Sequence, residues 1–327
     1  PNIGSIVLNQ IVDSNDFQDF ANNFESGDKI FIISSIFGGT GASGFPLLLK
    51  TLRTGTNFPN NDLINHAEIG AITILPYFKL KNDDESEIDS STFISKTKSA
   101  LAYYENNISK NKSIDALYFL ADNVTNTYEN HEGGSAQQND AHLVEFLAAT
   151  AIVDFSNKQH ANTSNKELGL KELTNSVTFD SFYENQKRLL FAPLTEFMMM
   201  TNCLNHKFDY YSSKDFNANN DNFNGLYGSS FMTELQNLTG LFIEWLDEMK
   251  RNKRSLDLFN LNTKDKPFEV VTGVKPKKII SLKSDYDLVT DRLNSAVKKC
   301  QSKEDNDKFL EMFFLAMRKL FNEKFNA

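Results

Sequence analysis

The segment that most constrains this chain runs from Lys29 to Gly44, KIFIISSIFGGTGASG. An apolar run rich in β-branched residues stops at Gly38-Gly39-Thr40-Gly41-Ala42-Ser43-Gly44, and a mostly apolar stretch, Phe45 to Leu52, follows. Pro46 falls where the next helix is expected to begin, because the first turn of a helix tolerates proline. A strand feeding a glycine-rich loop and then a helix is a common way to build an anion site. Glycine lets the backbone take positive φ and approach an anion closely. The helix start adds unpaired N–H groups and the positive end of the dipole. The chain is therefore expected to bind a nucleotide.

The surrounding pattern predicts the fold class. Ile11, Phe17, Phe20, Ala21 and Phe24 recur at helical spacing over 11–25, ahead of a strand at 29–37. A helix is predicted over 45–54, a loop over Asn57–Asn61, and a second buried strand over Ala67–Leu75, ending at Pro76. An acidic loop at 82–91, a helix at 92–107 and a third strand at 115–120, stopped by Ala121-Asp122-Asn123, come next. After a polar loop containing Gly133-Gly134, residues 140–155 read as a largely apolar helix, which implies burial on most sides. Strands alternating with helices predict an α/β domain with a parallel sheet flanked by helices. Ligands bind such sheets at the carboxyl ends of the strands. The glycine loop, Pro76-Tyr77-Phe78 and Asp122-Asn123 all fall there.

This gives a nucleotide-binding domain over 1–155 and a helix-rich C-terminal region over 156–327. In the second region helices are predicted at 182–204, where Pro193 should kink or split the helix, at 230–250 and at 305–325. Residues 209–228 read as a loop, and 269–274 and 278–282 as short strands. Met198-Met199-Met200 reads as core filler.

Composition narrows the function classes. A net charge of −9 leaves no excess of Lys and Arg to neutralise phosphates, which argues against general nucleic-acid binding. The basic run Lys250 to Arg254 reads as a solvated helix end, where cations suit the dipole. Cys203 and Cys300 lie far apart without CxxC spacing, which excludes a cysteine-built zinc site and a disulfide framework and fits a reducing, cytoplasmic setting. No apolar run approaches the ~20 residues that span a bilayer.

The ordered set GDKIFIISSIFGGTGASG, AITILPYF and IDALYFLADN, with a helix before the first and the helix 140–155 after the last, resembles the tubulin/FtsZ superfamily over about residues 3–155. That family's signature loop reads roughly GGGTG(S/T)G. Its second strand commonly ends in Pro-Phe and its third in Pro-Asn, with the Asn near the ribose; here Asp122 replaces the Pro. The resemblance implies that Gly38, Gly39, Thr40, Gly41, Ala42 and Ser43 cradle the phosphates of GTP or GDP with its Mg²⁺. Backbone N–H groups and small residues form such an anion nest on physical grounds as well. It places Asn123 near the ribose, and Asn139, Asp140 or His142, at the start of the central helix, facing the base. A carboxylate there could accept from N1–H and the 2-amino group of guanine. The implied behaviour is nucleotide-linked self-assembly into oligomers or filaments, with a protein partner for the C-terminal region and hydrolysis left open.

Two departures from the family stand out. Its first glycine loop normally lies far upstream of the signature loop, whereas 37 residues precede Gly38 here. Either an upstream segment precedes this sequence or that part of the site is lost. The family's acidic hydrolysis loop has its nearest match at Asn175 to Asp180. Asp180 is the candidate water-orienting acid, against the alternative of a helix N-cap.

Two other readings use the same residues. In a short-chain dehydrogenase the glycine loop would hold a dinucleotide, NAD(P), and Tyr183 with Lys187 (YENQK) would form the acid/base pair. Against it, the next strand ends in Pro-Tyr-Phe, without the ribose selector of a dinucleotide fold. In a non-catalytic scaffold the nucleotide would control assembly by binding the assembled state better.

Overall fold

The computed structural model describes residues 11–81, 92–123, 126–129, 141–157, 169–172, 174–212, 223–264, 266–277 and 283–325. They fall into two compact units, one from residues 1–139 and 144–167, the other from 140–143 and 168–327.

The first unit is α/β. Helix α1 (Asn15–Asn23) is capped by Ser14, whose hydroxyl accepts from the Phe17 amide. Strand β1 (Lys29–Ser35) follows, then α2 (Gly39–Thr54), a short α3 (Asn61–His66) and β2 (Glu68–Ile74). Strand β3 (Phe78–Leu80), helix α4 (Phe93–Tyr104) with a π-helical turn at Glu105–Ser109, β4 (Ala116–Leu120), β5 (Asn126–Tyr128) and α5 (Leu143–Ser156) complete it. Strands β1, β2 and β4 form a parallel sheet with β2 in the centre. β2 is buried on both faces and reads as a continuous apolar run, as parallel strands do.

One face of the sheet, Ile30, Ile32, Ile69 and Ala71, packs with Phe17 and Ala21 of α1 and Leu49 and Leu52 of α2. The other face presents Phe31, Ile72 and Tyr118 to Ala148 and Ala151 of α5. Phe155 stacks 5.4 Å from Phe31. Gly70 permits this approach, because a Cβ there would stand 2.8 Å from the Phe155 ring. The expected burial of α5 on most sides holds, with Ile152 and Val153 on the one strip that is left exposed.

The amino-terminal edge of the sheet is tied by Arg53. Its guanidinium donates to the carbonyls of Ser113 and Ala67, both at 2.7 Å, and to the Asp115 carboxylate at 2.7 Å. The same carboxylate oxygen accepts the Ile69 amide at 2.8 Å. One side chain thus joins α2, β2 and the entry to β4.

The second unit is mainly helical. It contains the two-residue parallel pair β6 (Ser176–Val177) and β7 (Ser255–Leu256), and helices α6 (Glu184–His206), α7 (Phe208–Ser212), α8 (Asn224–Tyr227), α9 (Ser230–Arg251), α10 (Asp285–Val297) and α11 (Asp305–Lys324). Of the kink or split expected at Pro193, the split does not occur, since α6 is continuous through it. Burial of Met198, Met199, Cys203 and Leu204 in the unit's core outweighs the lost hydrogen bond. The loop expected over 209–228 contains α8 and most of α7. Residues 269–274 form turns with one bridge, Phe259 to Val271, instead of a strand; 278–282 lie outside the described residues. The basic run at 250–254 is not uniformly solvated: Arg254 is 4% exposed and donates to the Thr174 carbonyl at 2.7 Å. Among the described residues no helix is long and apolar enough to cross a membrane.

Candidate functional site

The three strands end in register, Ser35 beside Ile74 and Ile74 beside Leu120. The glycine segment, Leu75–Tyr77 and Ala121–Asn123 therefore leave the sheet from one edge. β1 stops there, while the other two strands resume beyond short breaks as the parallel pair β3–β5. The glycine segment sits at this step.

The helix begins earlier than the sequence suggested. Gly38, at φ −93° and ψ 150°, is the N-cap, and Gly39 to Gly44 form the opening turns of α2. Pro46 consequently lies inside the helix rather than at its start. Its missing N–H leaves the Ala42 carbonyl without its usual intrahelical donor. Tyr104 supplies one, its hydroxyl donating to that carbonyl at 3.2 Å. The ring of Tyr104 is buried against Phe45 at 5.3 Å. Burial, with a smaller push from Tyr103, raises its pKa and keeps the hydroxyl protonated.

The glycines serve close approach rather than unusual torsion. The glycines at positive φ among the described residues are Gly27, Gly169 and Gly273, none of them in this segment. A Cβ on Gly41 would stand 2.0 Å from the Ser35 carbonyl oxygen, so only glycine lets α2 pack on the end of β1. A Cβ on Gly39 meets nothing within 4 Å.

The first intrahelical acceptor bond runs from the Ala42 amide to the Gly38 carbonyl at 3.0 Å. The amides of Gly39, Thr40 and Gly41 precede it and have no acceptor within the helix. Gly38 offers no side chain to cap them, and no acidic residue lies in the first turn. Gly39 and Thr40 are exposed. The Ser43 hydroxyl turns back onto the Gly39 carbonyl at 2.7 Å. Beneath the segment, Ser34 and Thr73 are register neighbours on the helix-facing side of the sheet. Their buried hydroxyls have no hydrogen-bond partner among the described residues.

Beside the glycines stands a group of rings that the sequence reading did not single out as a unit. Phe37 lies 5.1 Å from Phe93, 5.7 Å from Phe78 and 6.5 Å from Tyr77, and Phe78 lies 5.9 Å from Tyr128. The Tyr77 pKa is pushed up to about 12 by burial, then by Glu145 and Tyr128. The signal in the sequence is an aromatic residue on each segment reaching the step.

Asn123 is exposed, with its amide on the Asp122 carboxylate at 2.7 Å. Asn139 and Asp140 lie outside the described residues. His142 belongs to the second unit and is 2% exposed. Ala141 before it is tied to α9: its amide donates to Glu248 at 3.3 Å, and its carbonyl accepts from Asn252 at 3.0 Å. Asp180, also in the second unit, lies in a 3₁₀ turn capped by Thr178, and Tyr183 is the N-cap of α6, so Asp180 caps neither. Its exposed carboxylate pairs with the Lys187 ammonium at 2.5 Å. Among the described residues no group of three His, Cys, Asp or Glu could hold a metal ion.

No family model, curated protein or solved structure matches this chain.

Proposed function

We propose that the chain binds a guanine nucleotide at the start of α2 and self-assembles in a nucleotide-linked way, as a divergent relative of the tubulin/FtsZ superfamily. One observation carries the reading: α2 opens on glycine with three successive uncapped amides, at the carboxyl edge of a parallel sheet. Such an end attracts anions through both its N–H groups and its dipole. The phosphates would lie over Gly39, Thr40 and Gly41. Mg²⁺ would be carried by the phosphates, since the described residues offer no carboxylate cluster for it. Asn123, three residues past the end of the third strand at the same edge, would reach the ribose.

Asp180, the candidate water-orienting acid, is exposed and engaged by the Lys187 ammonium, so the hydrolysis reading draws no support from it. The scaffold reading is thus kept beside the GTPase one.

The test is sedimentation with GTP, ATP, NAD(P)H or no nucleotide, on the parent chain and on Gly39→Asp. The open space around Gly39 lets the new carboxylate in without disturbing packing. GTP-dependent pelleting that the variant loses is the expected result. Binding of NAD(P)H without pelleting would sink the proposal and bring Tyr183 and Lys187 forward as an acid/base pair.

A further inference from the structure

The second unit carries a basic groove between α10 and α11, with a volume of about 480 Å³. Arg292 of α10 and Lys299, in the turn that follows the helix, stand on one side. Arg318 and Lys319 line the other side, and Leu315 and the buried Ala296 contribute apolar surface. Glu323 is the one carboxylate in the lining and is taken up by Arg292, at 3.0 and 3.1 Å. Arg318 stacks on Phe314 at 4.7 Å and also interacts with Glu196. Among the described residues Lys299 and Lys319 are in no ion pair. The groove therefore concentrates positive charge on a chain whose net charge is −9.

The same chain contains a sequence that complements it. Asp83, Glu85, Glu87 and Asp89 alternate along the run NDDESEID. Bound in an extended form, alternate residues share one side and stand about 7 Å apart. A row of four carboxylates on one side can meet the cations that line the groove. Asp84 adds a fifth acid.

We infer that the groove between α10 and α11 receives the acidic run Asp83–Asp89 of a second copy of this chain. The groove and the acidic run are different patches, so the contact is head-to-tail and propagates into an open array unless the rotation closes. The inference rests on the self-assembly part of the proposed function and is independent of the nucleotide.

Two variants test it. One carries Asp83→Lys, Glu85→Lys, Glu87→Lys and Asp89→Lys; the other carries Lys299→Glu and Lys319→Glu. Sedimentation velocity is run at low salt without nucleotide. The parent chain is expected to gain mass with concentration, and the gain should fade as salt screens the charges. Each variant alone should stay monomeric, and their mixture should form a mixed species. A labelled peptide of residues 82–91 gives a second readout that does not depend on assembly. It should bind the acid-reversed chain and bind the groove-reversed chain at least about tenfold more weakly. Equal binding to both, equal binding of a scrambled peptide, or peptide binding without association between chains would each overturn the inference. GTP-dependent pelleting that survives both variants would sink the groove contact alone. Charge-dependent association indifferent to GTP would sink the nucleotide reading alone.

Discussion

The Tyr104 hydroxyl donates to the carbonyl of Ala42, four residues before Pro46. A proline inside the helix opens a gap in its ladder, and a tyrosine from α4 fills it. This fixes α4 against the opening turns of α2, next to the proposed phosphate cradle. Tyr104→Phe should leave a half-buried carbonyl unmet and destabilise the first unit by about 1–2 kcal/mol. Pro46→Ala returns an N–H to the helix. In that background the same Tyr104→Phe change should cost much less, and the difference is the coupling measured by a double-mutant cycle in urea. A loss of the same size in both backgrounds would mean that the hydroxyl bond contributes nothing.

Gly41 and Gly39 are two residues apart and should respond oppositely. Gly41→Ala forces a methyl group onto the Ser35 carbonyl, so α2 must move off β1. The expected loss is about 1–3 kcal/mol, the range of overpacked cores, and is read as a lower thermal midpoint. Gly39→Asp has room, and its charge suits a helix start, so the midpoint should hold or rise slightly. Nucleotide binding, followed by titration calorimetry, should instead be lost. If Gly41→Ala melts with the parent, the close packing of α2 on Ser35 is wrong.

How much of this was legible in the sequence depends on what kind of signal each element carried. The parallel sheet was, because the largely apolar runs at 29–35, 68–74 and 116–120 alternate with helices and their loops then share an edge. The start of α2 was not. Proline at 46 marks a helix start by propensity, but Tyr104, 58 positions away in sequence, supplies the missing bond and lets glycine begin the helix at Gly39. Strands β3 and β5 are three residues each, too short for periodicity to show. α10 carries a legible start signal, since Ser284 and Asp287 form a capping box there. In the site, the backbone cradle was visible as glycine spacing, whereas the ring group around Phe37 forms only when four distant segments meet. The positive φ expected of the glycines does not occur in this segment, and the close packing that Gly41 serves instead leaves no trace in torsional preference.

Arg53 is a test of the opposite edge of the sheet. Its planar guanidinium makes bonds to three carbonyls and a carboxylate that itself holds the Ile69 amide. A lysine ammonium cannot reproduce that fork. Arg53→Lys should cost about 2–3 kcal/mol, the scale of lost charge-assisted bonds in a half-buried site. Because Arg53 lies far from the carboxyl edge, nucleotide affinity of the folded variant should match the parent. A matching change in affinity would tie the two edges together and contradict this separation.

Glu196 makes the second unit sensitive to pH. Its side chain is 9% exposed within α6, and burial raises its pKa above the ordinary 4.5, while Arg318 pulls it partly back. Below about pH 4.5 the group is neutral in both folded and unfolded chains, and its burial is tolerated. As pH rises from 4.5 through the raised folded value, the unfolded chain releases its proton first. The folded state then binds more protons than the unfolded one, and stability falls with pH. Above the folded value the loss is complete and constant. Glu196→Gln keeps the shape and removes the charge, so the variant should gain on the parent as pH increases. Urea unfolding at pH 4 and pH 7 measures both chains, and the variant-minus-parent difference should be larger at pH 7. Taking the difference cancels the titration of every other carboxylate. A difference equal at the two pH values would mean that Arg318 compensates the buried charge in full.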